Sequence, residues 1–280
     1  MAELDVASFK KLLPLDFYEV FLQKQVRPDG RALLEFREAS VTPSLLSSST
    51  VGSALVKVGD TCVVAGLKAE VGAPPAGAPD KGILVVNVEL PPLCSPDAEP
   101  GRPSRTTQVL TQHLNHVLLG PSSGASLDAL AIVPGQAAWV LYLDVIAIDD
   151  SGSLDDAAVL AAVAALSSFS LPHVDVEDDG QVVADPDKEP TRLTLASLRN
   201  TPTLPLSFTF GILGSHLIAD PTASELALLS AQLKLVLDGY TGNVLSTVKT
   251  GSSPWSPAQL STCIEVAKQR ADTIVSNFLS

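Results

Sequence analysis

The segment Pro134 to Leu171, PGQAAWVLYLDVIAIDDSGSLDDAAVLAAVAALSSFSL, decides the fold. From Ala138 to Ile148 nearly every residue is apolar, with β-branched and aromatic types in the majority. Polar residues do not alternate with them, which predicts a strand buried on both faces in the middle of a sheet. Asp144 alone interrupts the run, so it is expected to be buried and hydrogen-bonded. Asp150-Ser151-Gly152 signals a turn. Asp155 and Asp156 then stand where a helix start needs acceptors for its free N–H groups and where negative charge meets the positive dipole end. Ala157 to Phe169 reads as that helix, built from Ala, Val and Leu, small enough to lie close on a sheet; Pro172 ends it. A buried strand feeding a tightly packed helix is a core element, with the rest of the chain expected in layers around it.

Working outward, Leu4 to Gln25 predicts two short helices broken at Pro14, with Phe17, Phe21 and Leu22 on one stripe. Arg27-Pro28-Asp29-Gly30-Arg31 is a turn carrying two cations and an acid. Phe36 to Thr42 is a strand candidate. Val51 to Glu70 alternates around Gly59-Asp60 and reads as a hairpin. Ile83 to Leu90 is a further strand, and Arg105 to Leu119 has helical spacing at Val109, Leu110, Leu114, Val117 and Leu118. Ala129 to Val133 is a short strand leading into the central element. Beyond Pro172 an acidic, Pro-rich connection is expected to be solvated. Two hairpins follow, Leu206 to Ala219 around Gly214 and Leu233 to Val248 around Asp238-Gly239. Ser256-Pro257-Ala258-Gln259 has the capping-box form and opens a last helix. The plan is α+β: hairpins first and packed helices last, twice over. The expected organisation is a helical segment over 1–26, a first half over 27–172, an acidic connection over 173–190 and a second half over 191–280.

Composition bounds the function. The chain has 280 residues, 46% hydrophobic, and a formal net charge of −13. Mean hydropathy is +0.29 and the isoelectric point is near 4.6. Such a chain can bury a substantial core, and it lacks the basic balance of a protein that grips nucleic acid alone. Its 18% of charged residues is low, which predicts that part of the surface is covered by partners. Three widely separated cysteines, Cys62, Cys94 and Cys263, argue against a disulfide framework or a zinc site and fit a reducing compartment. The N-terminal residues do not read as a signal peptide, and no apolar run reaches membrane-spanning length.

Few motifs carry chemistry. Thr250-Gly251-Ser252-Ser253 has the composition of a phosphate cradle but reads better as a lead-in to the capped helix. His113 and His116 are three apart on a helix without a further ligand motif. His216, Asp220, Ser215 and Ser224 form no nucleophile elbow. Asp144 with His216 and Asp220 would make a small-molecule site only if the halves brought them together. No metal site or cofactor is expected.

Several segments carry a resemblance: Arg27 to Arg31, GSALVKVGDTCVVAGLKAE (Gly52 to Glu70), APDKG (Ala78 to Gly82), NVELPPLCSP (Asn87 to Pro96), the Pro134 to Ala157 segment and LIADPTASE (Leu217 to Glu225). As a set they resemble the RNase PH superfamily, and within it the ring subunits of the eukaryotic RNA exosome. That resemblance implies an RNase PH-like fold, with two β-α units related by approximate two-fold symmetry and mixed sheets packed on helices. It implies partners: other RNase PH-like ring subunits, RNA-binding cap subunits, an associated processive exoribonuclease and single-stranded RNA passing through the channel. It implies work in ribosomal RNA processing and mRNA turnover, in the nucleus and nucleolus and also the cytoplasm. Active relatives are phosphate-dependent 3′-to-5′ exoribonucleases whose arginines lie on the helix corresponding to Arg105 to Leu119. Here that helix has no Arg or Lys past Arg105, and Gln112 and His116 stand where arginine is needed. A neutral amide cannot hold a phosphate as a guanidinium fork does. Gln112, His116, Asp220 and Glu225 are thus expected to be the positions of a degenerate phosphate site, with no catalytic residue. Arg102 and Arg105 are the expected contacts to RNA.

Overall fold

In the computed structural model, residues 6–46, 50–94, 103–167, 169–176, 182–184 and 188–278 are described. Two short helices, α1 (Val6–Leu12) and α2 (Pro14–Leu22), open the chain, with Pro14 at a helix start as expected. Phe17, Tyr18 and Leu22 pack with Leu213 and Ile218 into a small satellite core. The first sheet collects β1 (Ala39–Pro43), β2 (Gly52–Val58), β3 (Thr61–Gly72), β4 (Ile83–Glu89), β5 (Ala131–Val133) and β6 (Ala137–Asp149). Its order is β1-β2-β3-β6-β4, with β5 also paired to β6. All neighbours are antiparallel except β4, which runs parallel to β6. Parallel neighbours need a long crossover, and α3 (Arg105–Leu119) lies within it. Its start is fixed by Ser104, whose Oγ accepts from the Thr107 N–H at 3.1 Å.

The Ala-rich segment forms α4 (Leu154–Ser167), in which every residue from Ala157 to Leu166 is buried. A helix apolar all round must be enclosed. Here α4 packs on β2, β3 and β6 on one side and reaches the second unit on the other. Small pairs follow: β7 (Phe169–Leu171) with β10 (Thr191–Leu193), and β8 (Val174–Val176) with β9 (Val182–Ala184). The second sheet has β11 (Pro205–Leu213), β12 (His216–Ala219), β13 (Ala231–Asp238) and β14 (Val244–Gly251), all antiparallel in the order β12-β11-β13-β14. The one-turn α5 (Ala223–Leu226) joins β12 to β13, and α6 (Pro257–Phe278) closes the chain. Its capping box is formed: Ser256 Oγ accepts from Gln259 N at 3.2 Å, and Gln259 Oε1 accepts from Ser256 N at 2.9 Å. One hydrophobic core runs from β2 through α4 and β11 to Ala267, Ala271 and Ile274 of α6.

The structure corrects four readings. Burial alternates along β6: Leu141, Leu143, Val145 and Ala147 are buried, whereas Ile146 and Ile148 are exposed. Among the strands whose burial is described, the one buried along its whole length is β11. Asp144 therefore sits half-exposed on the outer face, 3.4 Å from Lys68 Nζ and 3.5 Å from Asn87 Nδ2. Helix α4 begins at Leu154 and stops at Ser167, with β7 before Pro172, and the carboxylates of Asp155 and Asp156 turn away from its N–H groups to the second unit. The acidic connection carries the β8–β9 hairpin, because Val174–Val176 and Val182–Ala184 supply β-formers on either side of the acids.

Candidate functional site

The two units meet in a buried seam of ions. The turn at Arg27 to Arg31 is closed by Gly30, with φ +89°, and by the Arg27 N–H donating to Arg31 O at 2.9 Å. This aims Arg27 inward, where it is 1% exposed. Its Nε donates to Glu225 Oε1 at 3.0 Å, its Nη1 to Ala219 O at 2.7 Å and its Nη2 to Asp220 O at 3.1 Å and to Glu225 Oε2. Glu225 also accepts from the Thr222 N–H at 2.7 Å, completing the capping box of α5. Arg37 grips both oxygens of Asp220 and donates through Nη2 to Gly152 O at 2.8 Å, tying the turn before α4 into the seam. Arg31 adds a longer contact to Asp220 Oδ2 at 3.3 Å. Burial pushes the Asp220 carboxyl up, but the hydrogen bonds and charge of Arg37 outweigh it and hold the group below its ordinary value. Asp220 is held with φ +46°, a conformation that costs an L residue energy and persists because the surrounding bonds fix it.

Next to the seam, Asp156 reaches from α4 into β11. Its Oδ1 accepts from Ser207 Oγ at 2.7 Å and Thr209 Oγ1 at 3.0 Å, and its Oδ2 from Thr209 N at 2.7 Å. Full burial pushes this carboxyl up to about 7, against those hydrogen bonds and with the charges of Asp155 and Asp220 adding to the rise.

A cleft of about 400 Å³ opens between α3, the start of α4 and β13. Arg105, Val109, Ser153, Asp155, Leu226 and Lys234 are among the residues that line it. Lys234 Nζ lies 2.6 Å from Asp155 Oδ2, so the cleft's lysine is neutralised from within by an acid in the first turn of α4. Arg105 is exposed at the first position of α3 and makes no hydrogen bond or ion pair among the described residues. His113 is buried nearby, and burial lowers its pKa.

The structure thus separates the positions expected to form one degenerate site. Gln112 and His116 lie on the exposed face of α3, whereas Asp220 and Glu225 are each 2% exposed and belong to the arginine seam. Among the described residues, no hydrogen bond or ion pair joins either helix residue to either acid. Arg102 lies outside the described residues. Asp144 and Asp220 have separate partners, so no site with His216 forms. In the Thr250 to Ser253 segment, the N–H groups of Ser252 and Ser253 donate to Ser230 O, at 3.0 and 3.4 Å, and are not free to cradle an anion. Residue-by-residue reading missed Arg37 and Lys234, and gave Asp156 to the start of α4, because their partners are remote in sequence.

Two packed β-α units with this seam and cleft define a class. The chain belongs to the 3′ exoribonuclease family: RNase PH domain 1 matches residues 35–172 and domain 2 matches residues 203–270. It is similar to the exosome complex component rrp43 of Schizosaccharomyces pombe, 36% identical over 266 residues and 94% of each chain. It is similar to the exosome complex component Rrp42 of Methanothermobacter thermautotrophicus, 32% identical over 91% of this chain and 90% of that one. Among solved structures, the Archaeoglobus fulgidus exosome with RNA bound to the active site contains a chain that matches with a TM-score of 0.78 and 31% identity, covering 94% of this chain and 97% of that chain. The segments LPPLCSP and AWVLYLD, which resemble ribosomal RNA-processing protein 43, begin directly after β4 and within β6.

Proposed function

We propose that this chain is a non-catalytic wall subunit of an RNA exosome ring. It helps build the channel through which single-stranded RNA reaches a nuclease carried by another subunit. The similarity to exosome components supports the ring role. Its partners are then other RNase PH-like ring subunits, RNA-binding cap subunits and a processive exoribonuclease, in ribosomal RNA processing and mRNA turnover in the nucleus, nucleolus and cytoplasm.

One observation carries the catalytic silence. Where a phosphate would need free guanidinium or ammonium groups, Lys234 is paired to Asp155 at 2.6 Å and the exposed face of α3 offers Gln112 and His116. Phosphoryl chemistry depends on cations aimed at the charge that develops on the phosphate oxygens. Asp220 and Glu225 cannot serve either, because their oxygens are consumed by arginines of the same chain. Arg105, which lines the cleft and has no hydrogen bond or ion pair among the described residues, is left to touch a passing RNA backbone.

The test is phosphorolysis. Purified chain, and the reconstituted ring containing it, are given single-stranded RNA and inorganic phosphate, and nucleoside diphosphate release is measured. The chain alone is expected to release none. Release that requires phosphate and disappears in Lys234→Ala, with the ring still assembled, would overturn the reading.

A further inference from the structure

A second hollow, of about 280 Å³, lies at the opposite end of α4 from the cleft. The helix has 14 residues, so about 20 Å separates the two. The hollow forms where the first sheet meets the small β7–β10 pair. Its walls are held closely. The Ser170 N–H donates to Val51 O at 3.1 Å, which stitches β7 to the entrance of β2. At Gly52 a Cβ would lie 2.8 Å from Ala165 O and 2.9 Å from Phe169 Cβ, so only glycine lets β2 approach this closely.

The polar lining offers donors, and no acid is among the described residues that form it. Arg192 stands opposite Ser170 in the β7–β10 register, on the side away from the buried Phe169 and Leu171. Arg192 is exposed and makes no hydrogen bond or ion pair among the described residues. Ser53 is 4% exposed; its Oγ accepts from the Leu46 N–H at 2.8 Å, and its own proton has no acceptor among the described residues. The Ser44 and Ser170 hydroxyls have no hydrogen-bond partner there either. Thr50 spends its proton on Leu46 O at 2.7 Å. Ser44 is held at φ +57°, with its N–H donating to Ser53 O at 2.7 Å. Residues kept in that region against their preference cluster at ligand clamps. In a chain with 31 acidic and 18 basic residues, an unpaired arginine in an acid-free hollow stands out. Lys234 in the cleft, by contrast, is neutralised by Asp155.

We propose that this hollow binds a small phosphorylated ligand by its phosphate group. The Arg192 guanidinium and the hydroxyl protons of Ser44, Ser53 and Ser170 line one space. Donors spread over several walls match the oxygens of a tetrahedral anion better than the two coplanar oxygens of a carboxylate. Serine brings no charge, so the arginine supplies the attraction and the hydroxyls supply the shape. The hollow is larger than orthophosphate and smaller than the ~300–1,000 Å³ of drug-sized sites. Inorganic phosphate and a nucleoside monophosphate share the required chemistry. The site lies apart from the cleft and does not rest on the exosome reading.

The experiment is isothermal titration calorimetry on the purified chain, at constant ionic strength in a phosphate-free buffer. Inorganic phosphate, adenosine 5′-monophosphate and adenosine are the titrants. Saturable binding to one site is expected for phosphate or the monophosphate, and none for adenosine. Tighter binding of the monophosphate identifies a nucleotide as the ligand; equal affinities identify free phosphate. Arg192→Ala should weaken binding by about tenfold or more, the worth of a charged hydrogen bond, and Arg192→Lys should recover part of it. Ser170→Asp sets an acid opposite Arg192 and should weaken binding as much, which keeps the proposal testable if Arg192→Ala folds poorly. Lys57→Ala removes an exposed cation from the same strand β2, outside the hollow, and should bind as wild type. Circular dichroism melting checks the folding of each variant. No saturable binding up to about 10 mM phosphate or monophosphate overturns the proposal. So does unchanged affinity in the folded Arg192→Ala variant, an equal loss in Lys57→Ala, or adenosine binding as tightly as its monophosphate.

Discussion

Arg37 holds Asp220 through both carboxylate oxygens, with Nη2 2.7 Å from Oδ1 and Nε 2.8 Å from Oδ2, although 183 residues separate them. The acid is 2% and the arginine side chain 10% exposed, so water does little to screen the pair. Removing one partner of such a pair strands the other charge, which costs about 3–5 kcal/mol. Arg37→Ala and Asp220→Ala should each lose stability on that scale in urea titrations. Arg37→Lys keeps the charge but cannot span both oxygens and Gly152 O together, so it should recover only part of the loss. A loss below about 0.5 kcal/mol for Arg37→Ala would show that the seam is not a principal joint.

Gly152 is the seam's steric counterpart. Its φ is +109°, and a Cβ there would lie 2.5 Å from Ala223 N and 2.6 Å from Pro221 O. Both obstacles are backbone, so neither can rotate away. Gly152→Ala should cost more than the ~1–3 kcal/mol of ordinary overpacking, because strain in the left-handed region adds to it. The melting temperature of this variant, compared with that of Gly77→Ala, where a Cβ meets nothing within 4 Å, isolates the effect.

Stability should depend on pH in two opposed ways. The Asp156 carboxyl is raised to about 7 in the folded chain, above its ordinary 3.8. The folded state therefore holds that proton more tightly, and the contribution is complete below 3.8 and lost as pH rises through about 7. Asp220 is depressed, so its contribution is present above 3.8 and lost as pH falls through its lower folded value. Melting temperatures should thus pass through a maximum on the mildly acid side and decline toward pH 8. Asp156→Asn should flatten the decline between about pH 5 and 7 while leaving the acid limb in place. An unchanged slope in this variant would remove Asp156 as its source.

The cleft makes a prediction about RNA. In the reconstituted complex Arg105→Ala should weaken RNA binding and make the logarithmic salt dependence shallower by about 0.7, the value for one phosphate contact on a single strand. Asp155→Asn releases Lys234 and should steepen it by a similar amount. Filter binding across a salt series measures both. Equal slopes in all three proteins would mean that RNA passes without touching this cleft.

Local signals told much of the fold. Arg105 to Leu119 is helical over the limits its spacing suggested, and Ser256 caps α6 as its sequence pattern requires. The hairpins at Gly59-Asp60 and Gly214 also fall where turn chemistry put them. What sequence could not show was pairing at a distance. The RPDGR turn and the DPTASE motif are each visible alone, yet nothing local says that Arg27 will meet Glu225 across 198 residues. Likewise the apolar β6 reads as a doubly buried strand, although only Leu141, Leu143, Val145 and Ala147 face the core, while Ile146 and Ile148 on the other face are exposed. Asp144 was misplaced for that reason.

The ion seam also bears on how the molecule is made. A ribosome releases Arg27, Arg31 and Arg37 long before it has joined Asp220 and Glu225 to the nascent polypeptide. The growing chain must keep three guanidinium groups hydrated and the apolar flank of α4 uncovered until β11 and β12 emerge. Translation products that stop short of Glu225 therefore carry an open clamp and a bare hydrophobic helix, which chaperones and proteases recognise.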